Sequence, residues 1–88
     1  MLHALKTHPE YFEALKSGEK AFELRKDDRP FEVGDTFLAQ EYDPEKEQYS
    51  GEEVQFKISY ILRDAQKFGL KTGYCILGLI EKKVLPIN

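Results

Sequence analysis

The stretch "THPEYFEALKSGEKAFELRK", residues 7–26, places one helix directly before one strand. Tyr11 and Phe12 are both spaced for contact with Leu15, which gives the helix an apolar face. Gly18 follows the last turn, where glycine commonly ends a helix. Because so short a helix is unstable alone, we expect it to dock on a sheet.

The second half of the stretch, "KAFELRK", alternates apolar and charged residues as a strand does. This alternation predicts that Phe22 and Leu24 face the core. Glu23 and Arg25 then share the opposite face. The strand therefore carries a carboxylate and a guanidinium side by side.

The rest of the chain predicts further strands separated by turns. These strands are residues 2–7, 36–43, 53–63 and 74–84. The third is the most regular, and its alternate apolar residues are expected on one face: Val54, Phe56, Ile58, Tyr60 and Leu62.

The last strand is apolar on both faces, which is typical of a strand inside a sheet or barrel. Gly78 within it indicates a bulge or a close backbone approach. The polar residues 44–52 predict a long, solvated hairpin tip.

One helix among so many strands argues against a doubly wound sheet. We predict an α+β fold that is mainly β, formed by a single domain over residues 1–88. Roughly five or six mixed, twisted strands would bury both sheet faces by curling into a small barrel, with the helix after the first strand.

The composition is that of a globular protein of 88 residues, with 41% hydrophobic and 33% charged side chains. The sequence has no apolar run long enough for a membrane span and no signal-peptide pattern, so we expect a cytoplasmic monomer. The single cysteine, Cys75, lies in an apolar run and is expected to be buried and inert.

The net charge of −3 argues against a general phosphate-attracting surface. The segment between Pro30 and Phe56 contains eight acidic residues and a single basic residue, Lys46. An anion-binding surface must therefore be local and lie outside this acidic segment.

The best candidate for such a surface lies around the opening stretch. If the first two strands lie close together, Lys6, Lys20 and Arg25 could line one cleft with Glu23 inside it. Thr7 ends the first strand and would border the same cleft. A carboxylate among bases keeps its charge and orients them, which suits a small planar or phosphate-bearing ligand. The alternative is a half-exposed strand with ordinary ion pairs.

No metal or cofactor site is indicated. Two histidines, His3 and His8, and one cysteine make no zinc pattern, and the glycines lack phosphate-loop or dinucleotide spacing. The acidic residues 41–52 lack the spacing of a calcium loop. We identify no catalytic constellation from the residue pattern itself.

The segment "GEKAFELR" has the pattern Gly-x-Lys-x-x-Glu-x-Arg at Gly18, Lys20, Glu23 and Arg25. This pattern resembles the signature of ASCH domains in the PUA-like superfamily. The flanking segments resemble a compact bacterial and phage branch of unknown function, so the resemblance covers nearly the whole chain. It implies a PUA-like β-barrel whose cleft beside the first helix binds RNA or a nucleotide-like ligand.

Some ASCH-like proteins are similar to small amidohydrolases that act on acylated cytidines with a lysine, a threonine and a glutamate. The resemblance then implies catalytic roles for Lys20 and Glu23. This chain has no threonine in "KAFELR", and Thr7 would have to substitute from the neighbouring strand. That departure favours a binding module over an enzyme.

Three functions thus stay open. The first is RNA or nucleotide binding through Lys6, Thr7, Lys20, Glu23 and Arg25, with Tyr74 as a stacking surface, although Tyr74 also fits a core position. The second is the amidohydrolase. The third is a protein-interaction domain that uses the acidic surface.

Overall fold

The computed structural model describes residues 1–86 of the chain. Its strands are β1 (Leu2–Thr7), β2 (Phe22–Lys26), β3 (Thr36–Asp43), β4 (Gln48–Leu62) and β5 (Tyr74–Leu85). The helix α1 (Pro9–Ser17) follows β1, and a short 3₁₀ turn, η1 (Gln66–Phe68), precedes β5. The mainly β architecture with one α-helix after the first strand is confirmed.

The five strands form one mixed sheet in the order β1-β3-β4-β5-β2. β1 runs parallel to β3, and the other neighbouring strands are antiparallel. The sheet curls into a half-barrel, so its edge strands β1 and β2 approach each other without ladder pairing. The Arg25 guanidinium crosses this gap and donates a hydrogen bond to the carbonyl oxygen of Lys6.

α1 is fixed at its end and along one face. Gly18 adopts φ 89°, a left-handed conformation, and its N–H donates to Leu15 O at 3.2 Å. Phe12 and Leu15 are fully buried, and α1 packs on β3 and β4. Tyr11 is 49% exposed, so the prediction that it shares the buried face is wrong.

The core lies on the concave side of the half-barrel. Phe37, Ala39, Val54, Phe56 and Ile58 contribute from β3 and β4. Cys75, Leu77 and Leu79 complete it from β5, which lies between β4 and β2 as expected of a strand that is apolar on both faces. The buried position predicted for Cys75 is confirmed.

The orientation predicted for β2 is wrong. Phe22 and Leu24 are 49% and 54% exposed, whereas Glu23 is 6% exposed. Register explains the inversion, because Glu23 pairs with the core residue Leu77 of β5 and so points to the same side. Phe22 and Leu24 therefore belong to the convex side of the sheet.

The prediction that alternate apolar residues of β4 share one buried face is correct only as far as Ile58. Ile58 pairs with Leu79 and Tyr60 with Gly78, so β4 has one extra residue at this point. Such a bulge switches the alternation, and Tyr60 is 64% exposed while Ile61 packs against the core. A Cβ placed on Gly78 would lie 2.9 Å from Ser59 Oγ, which supports the close approach predicted there.

The hairpin between β3 and β4 is tighter than predicted. Asp43 pairs with Gln48, and only residues 44–47 form the turn. The Asp43 carboxylate accepts a 2.9 Å hydrogen bond from the Glu45 N–H, which holds the turn without a long loop.

In the part of the chain that the structure describes, neither length nor hydropathy allows any helix to cross a membrane.

Candidate functional site

Glu23 is the centre of the candidate site. Its Oε1 accepts a 3.0 Å hydrogen bond from Lys20 Nζ, and its Oε2 accepts a 2.9 Å hydrogen bond from Arg25 Nε. The two partner side chains are 15% and 26% exposed, against 8% for the carboxylate. The pattern Lys-x-x-Glu-x-Arg thus forms a fixed triad in which one carboxylate orients two cations.

The edge of β1 forms the opposite wall of the site. Arg25 reaches across to the Lys6 carbonyl, which places Thr7 next to the triad. Thr7 is buried, and its hydroxyl donates to Leu5 O at 3.3 Å. The curl of the sheet, and not strand pairing, brings these residues together.

Two adjoining depressions share Tyr11, Glu23 and Leu24. One, of about 390 Å³, is completed by Lys20 and Phe22. The other, of about 320 Å³, extends to Thr7, Arg25 and Tyr74, among others. We call them together the α1–β2 cleft.

Aromatic rings flank the cleft. Lys20 Nζ lies 4.7 Å from the ring centroid of Tyr11 and 5.5 Å from that of Phe22. A cation held between two rings and a carboxylate has few other positions to adopt. The cleft therefore combines fixed donors with flat apolar surfaces.

The sequence placed Lys6 in this cleft, and the structure separates its two ends. Lys6 lines one of the two depressions and its carbonyl meets Arg25, but its ammonium lies 4.4 Å from the Tyr42 ring centroid. Tyr74 is half-buried at the rim of the cleft, with Lys71 Nζ at 5.4 Å from its ring.

Arg63, a basic residue outside the cleft, has structural partners within the fold. Arg63 Nε donates to Asp27 at 2.7 Å, and its Nη2 donates to Phe31 O at 2.9 Å. These contacts tie the loop after β4 to the segment after β2. They also raise the pKa of Arg63, chiefly through the hydrogen bond to Asp27.

The acidic surface is also partly engaged within the fold. Glu52 accepts a 2.8 Å hydrogen bond from Lys16 Nζ, and Glu53 accepts one from Gln40 at 2.7 Å. Both residues therefore have internal partners, while Glu45 and Glu47 at the hairpin turn are exposed.

A second buried polar cluster lies away from the cleft. Asp35 contacts His3 Nε2 at 2.9 Å and the Met1 amine at 2.9 Å. The hydrogen bond with His3, then that with the amine, lowers the pKa of Asp35 from 3.8 to about 2. Within residues 1–86, no group of three or more His, Cys, Asp or Glu side chains is arranged to hold a metal ion.

Tyr11, Phe22 and Leu24 line the cleft, yet the sequence placed all three in the core. Their apolar character gave no reason to expect them at a site. For Phe22 and Leu24 the alternation along the strand gives no signal either, because it separates two faces without saying which one is inside.

Comparisons with known proteins identify a family and a related protein. Residues 2–79 match the family described as Domain of unknown function (DUF3850). The chain is also similar to the "Uncharacterized 12.9 kDa protein in GpA 3'region" of Escherichia phage P2. The two are 34% identical over 99% of this chain and 75% of the phage protein. The matched residues include the triad and most of the described strands, and the chain belongs to the DUF3850 family.

Proposed function

We propose that this chain is a PUA-like module of the ASCH type that binds RNA or a nucleotide-like ligand in the α1–β2 cleft. The proposal for the fold rests on the strand, helix and curled sheet in this order, with Gly-x-Lys-x-x-Glu-x-Arg at the turn into β2. The proposal for the ligand rests on the triad.

The single observation that carries it is the presentation of Lys20 and Arg25 by Glu23. An ammonium has three N–H donors and a guanidinium has five. Glu23 accepts one hydrogen bond from Lys20 and one from Arg25. The donors left over can meet phosphate or carbonyl oxygens. The rings of Tyr11 and Phe22 offer flat surfaces against which a base can pack.

The negative net charge fits this arrangement of a local site. A ligand is attracted by the two fixed cations Lys20 and Arg25, while Asp43 and Glu45 of the acidic β3–β4 hairpin line a separate depression at the start of α1. A ligand confined to the cleft, with about two phosphates neutralised, should lose roughly sevenfold in affinity between 50 and 200 mM salt, since each phosphate on a single strand contributes a slope near 0.7.

Fluorescence anisotropy with a labelled single-stranded RNA of about ten nucleotides tests the proposal. Lys20→Ala and Arg25→Ala should each weaken binding at least about fivefold and reduce the salt dependence. Lys46→Ala removes the same charge from the acidic hairpin and should leave binding within twofold of the wild type, roughly the experimental scatter.

Both cations also neutralise Glu23, so the thermal melt of each variant is needed to distinguish loss of binding from loss of the fold. The charge-preserving Lys20→Arg and Arg25→Lys serve as folded comparisons. Absence of saturable binding by the wild type, or equal loss in Lys46→Ala, overturns the proposal.

A second candidate is an amidohydrolase acting on acylated cytidine-type nucleosides. The contact between Lys20 Nζ and the Glu23 carboxylate favours it, because such a pair can pass a proton within a partly buried cleft. Water would add to the acyl carbon and the cytidine amine would leave with a proton. Release of free cytidine from N4-acetylcytidine, lost in Glu23→Gln, would support this activity. No release at high protein concentration would exclude it for this substrate.

A further inference from the structure

The convex face of the sheet next to the cleft is apolar and aromatic. Leu24 of β2 pairs with Ile76 of β5, which pairs with Leu62 of β4. Phe22 and Tyr60 lie opposite Gly78 in the same way. Because paired residues project to the same side, these side chains form one surface, which we call the outer face.

The outer face continues onto η1. Leu24, Leu62 and Ile76 line a depression of about 310 Å³ together with Phe68 and Leu70. Phe68 is 81% exposed, the most exposed of the large hydrophobic side chains of the described chain. Leu24 also lines the α1–β2 cleft, so the cleft and the outer face are continuous.

Lysines are interleaved with the aromatic rings along this route. Lys20 lies 5.5 Å from the Phe22 ring, Lys71 lies 5.4 Å from the Tyr74 ring, and Lys67 lies 5.2 Å from the Phe68 ring. Flat rings with a cation beside each are the two components of sites for single-stranded nucleic acids, where bases stack and phosphates meet the charges.

The same interleaving disfavours a protein partner or a second copy of the chain. Protein interfaces are depleted in lysine at their centres, because an ammonium loses its water when it is covered. Covering Phe22, Phe68 and Tyr74 with protein would cover Lys20, Lys67 and Lys71 as well. A polyanion that supplies phosphates at those positions removes this penalty.

We propose that the outer face stacks the bases of a single-stranded nucleic acid whose first nucleotide occupies the α1–β2 cleft. The strand runs from Phe22 and Leu24 across β5 to Phe68. Two strand spacings cover about 10 Å, and sheet platforms of this kind hold two or three bases. This inference rests on the proposed function and names the ligand as single-stranded.

Two probes separate the inference from the function on which it rests. Cytidine 5′-monophosphate reports the cleft alone, and a labelled single-stranded RNA of about ten nucleotides reports the cleft and the outer face. Phe68→Ala and Tyr60→Ala alter exposed side chains outside the cleft. Tyr49→Ala is the matched control, since Tyr49 is 52% exposed in the acidic hairpin.

We expect Phe68→Ala and Tyr60→Ala to weaken binding of the RNA strand at least about fivefold, the lower end of what loss of one stacked base does. Phe68→Trp should retain binding, Tyr49→Ala should match the wild type, and the monophosphate should bind all variants alike. The same RNA in duplex form should bind more weakly than the single strand.

Equal binding of the strand by the wild type, Phe68→Ala and Tyr60→Ala overturns the inference, as does equal binding of the duplex. If the monophosphate still binds in a Lys20-dependent manner, the proposed function survives that result. If neither probe binds the wild type, the proposed function itself fails. A wild type that sediments as a dimer while Phe68→Ala is monomeric would assign the outer face to self-association and also overturn the inference.

Discussion

Glu23 is a carboxylate that the fold buries between two cations, and this position decides how it acts. Both its oxygens accept a hydrogen bond, one from Lys20 and one from Arg25. Two such partners compensate the buried charge of Glu23. Removal of the carboxylate would leave the charges of Lys20 and Arg25 without this compensation. Glu23 is thus a structural residue of β2 and the organiser of the cleft.

Removal of this carboxylate should destabilise the domain. We expect Glu23→Ala to lower the free energy of unfolding by about 1–3 kcal/mol, because Lys20 and Arg25 lose a charged acceptor in a partly buried site. Urea denaturation measures the change. Glu19→Ala, an exposed acid in the same turn, should change it by less than about 0.5 kcal/mol. Equal stability of the two variants would contradict the account of the triad.

Asp35 should make stability depend on acid pH. Its pKa in the folded state is lowered from 3.8 to about 2 by His3 and the Met1 amine. A lowered pKa stabilises the fold above the unfolded value, and this contribution is lost as pH falls through the folded value. The melting temperature should therefore decrease as the pH is lowered from 3.8 to about 2. Asp35→Asn should flatten that part of the profile, whereas Asp28→Asn, at an exposed position, should preserve it.

At the scale of elements, the turn between α1 and β2 sets the direction of the cleft-forming strand. Gly18 ends α1 in a left-handed conformation, and the Lys20 N–H then donates to Ala14 O at 3.0 Å. The turn thus delivers Lys20 and Glu23 to the same side of β2. A side chain at residue 18 would strain this conformation.

Gly18→Ala should cost about 1 kcal/mol of stability, because alanine does not adopt a positive φ without strain. Ser17→Ala, one residue earlier and within the helix, should change stability by less than about 0.5 kcal/mol. Chemical denaturation of both variants gives the comparison. A Gly18→Ala variant at least as stable as the wild type would show that the turn does not need glycine.

How far the sequence predicts each element depends on whether its signal is local. The helix, its glycine end and the strand segments follow from spacing and turn residues, which act within a few positions. The orientation of β2 does not, because alternation separates two faces without saying which one is inside. Hydrophobicity predicts a core position for Phe22 and Leu24, whereas pairing of Glu23 with Leu77 decides the orientation.

The bulge in β4 is a second case. Alternate residues from Val54 to Leu62 are apolar throughout, and the register shift at Ser59 arises only from pairing with β5 next to Gly78. For the site, the sequence correctly grouped Lys20, Glu23 and Arg25 in space. It could not separate the carbonyl of Lys6, which meets Arg25, from its ammonium, which lies over Tyr42.

At the scale of the whole molecule, the half-barrel encloses one core and leaves two contrasting surfaces. The β3–β4 hairpin carries the acidic segment, while the cleft and the outer face carry the lysines and exposed rings. The core between them is closed by β5, where Cys75 has no solvent exposure. This burial raises the pKa of the Cys75 thiol.

Cys75 therefore reports opening of the whole core. With little thiolate and no access, it should react with a thiol reagent at least about a thousandfold more slowly in the native protein than in urea, as expected for a group exposed only by global unfolding. Timed alkylation followed by mass spectrometry measures both rates. Native rates close to the unfolded rate would show that β5 opens locally.

The most direct test of the central claim, a nucleotide-binding cleft organised by Glu23, is backbone chemical-shift mapping during titration with a short single-stranded RNA. The account predicts saturable shifts at the amides of Thr7, Lys20, Glu23 and Arg25, abolished in Lys20→Ala. Shifts confined to residues 43–50 of the acidic hairpin, or no saturable shifts at all, would contradict it.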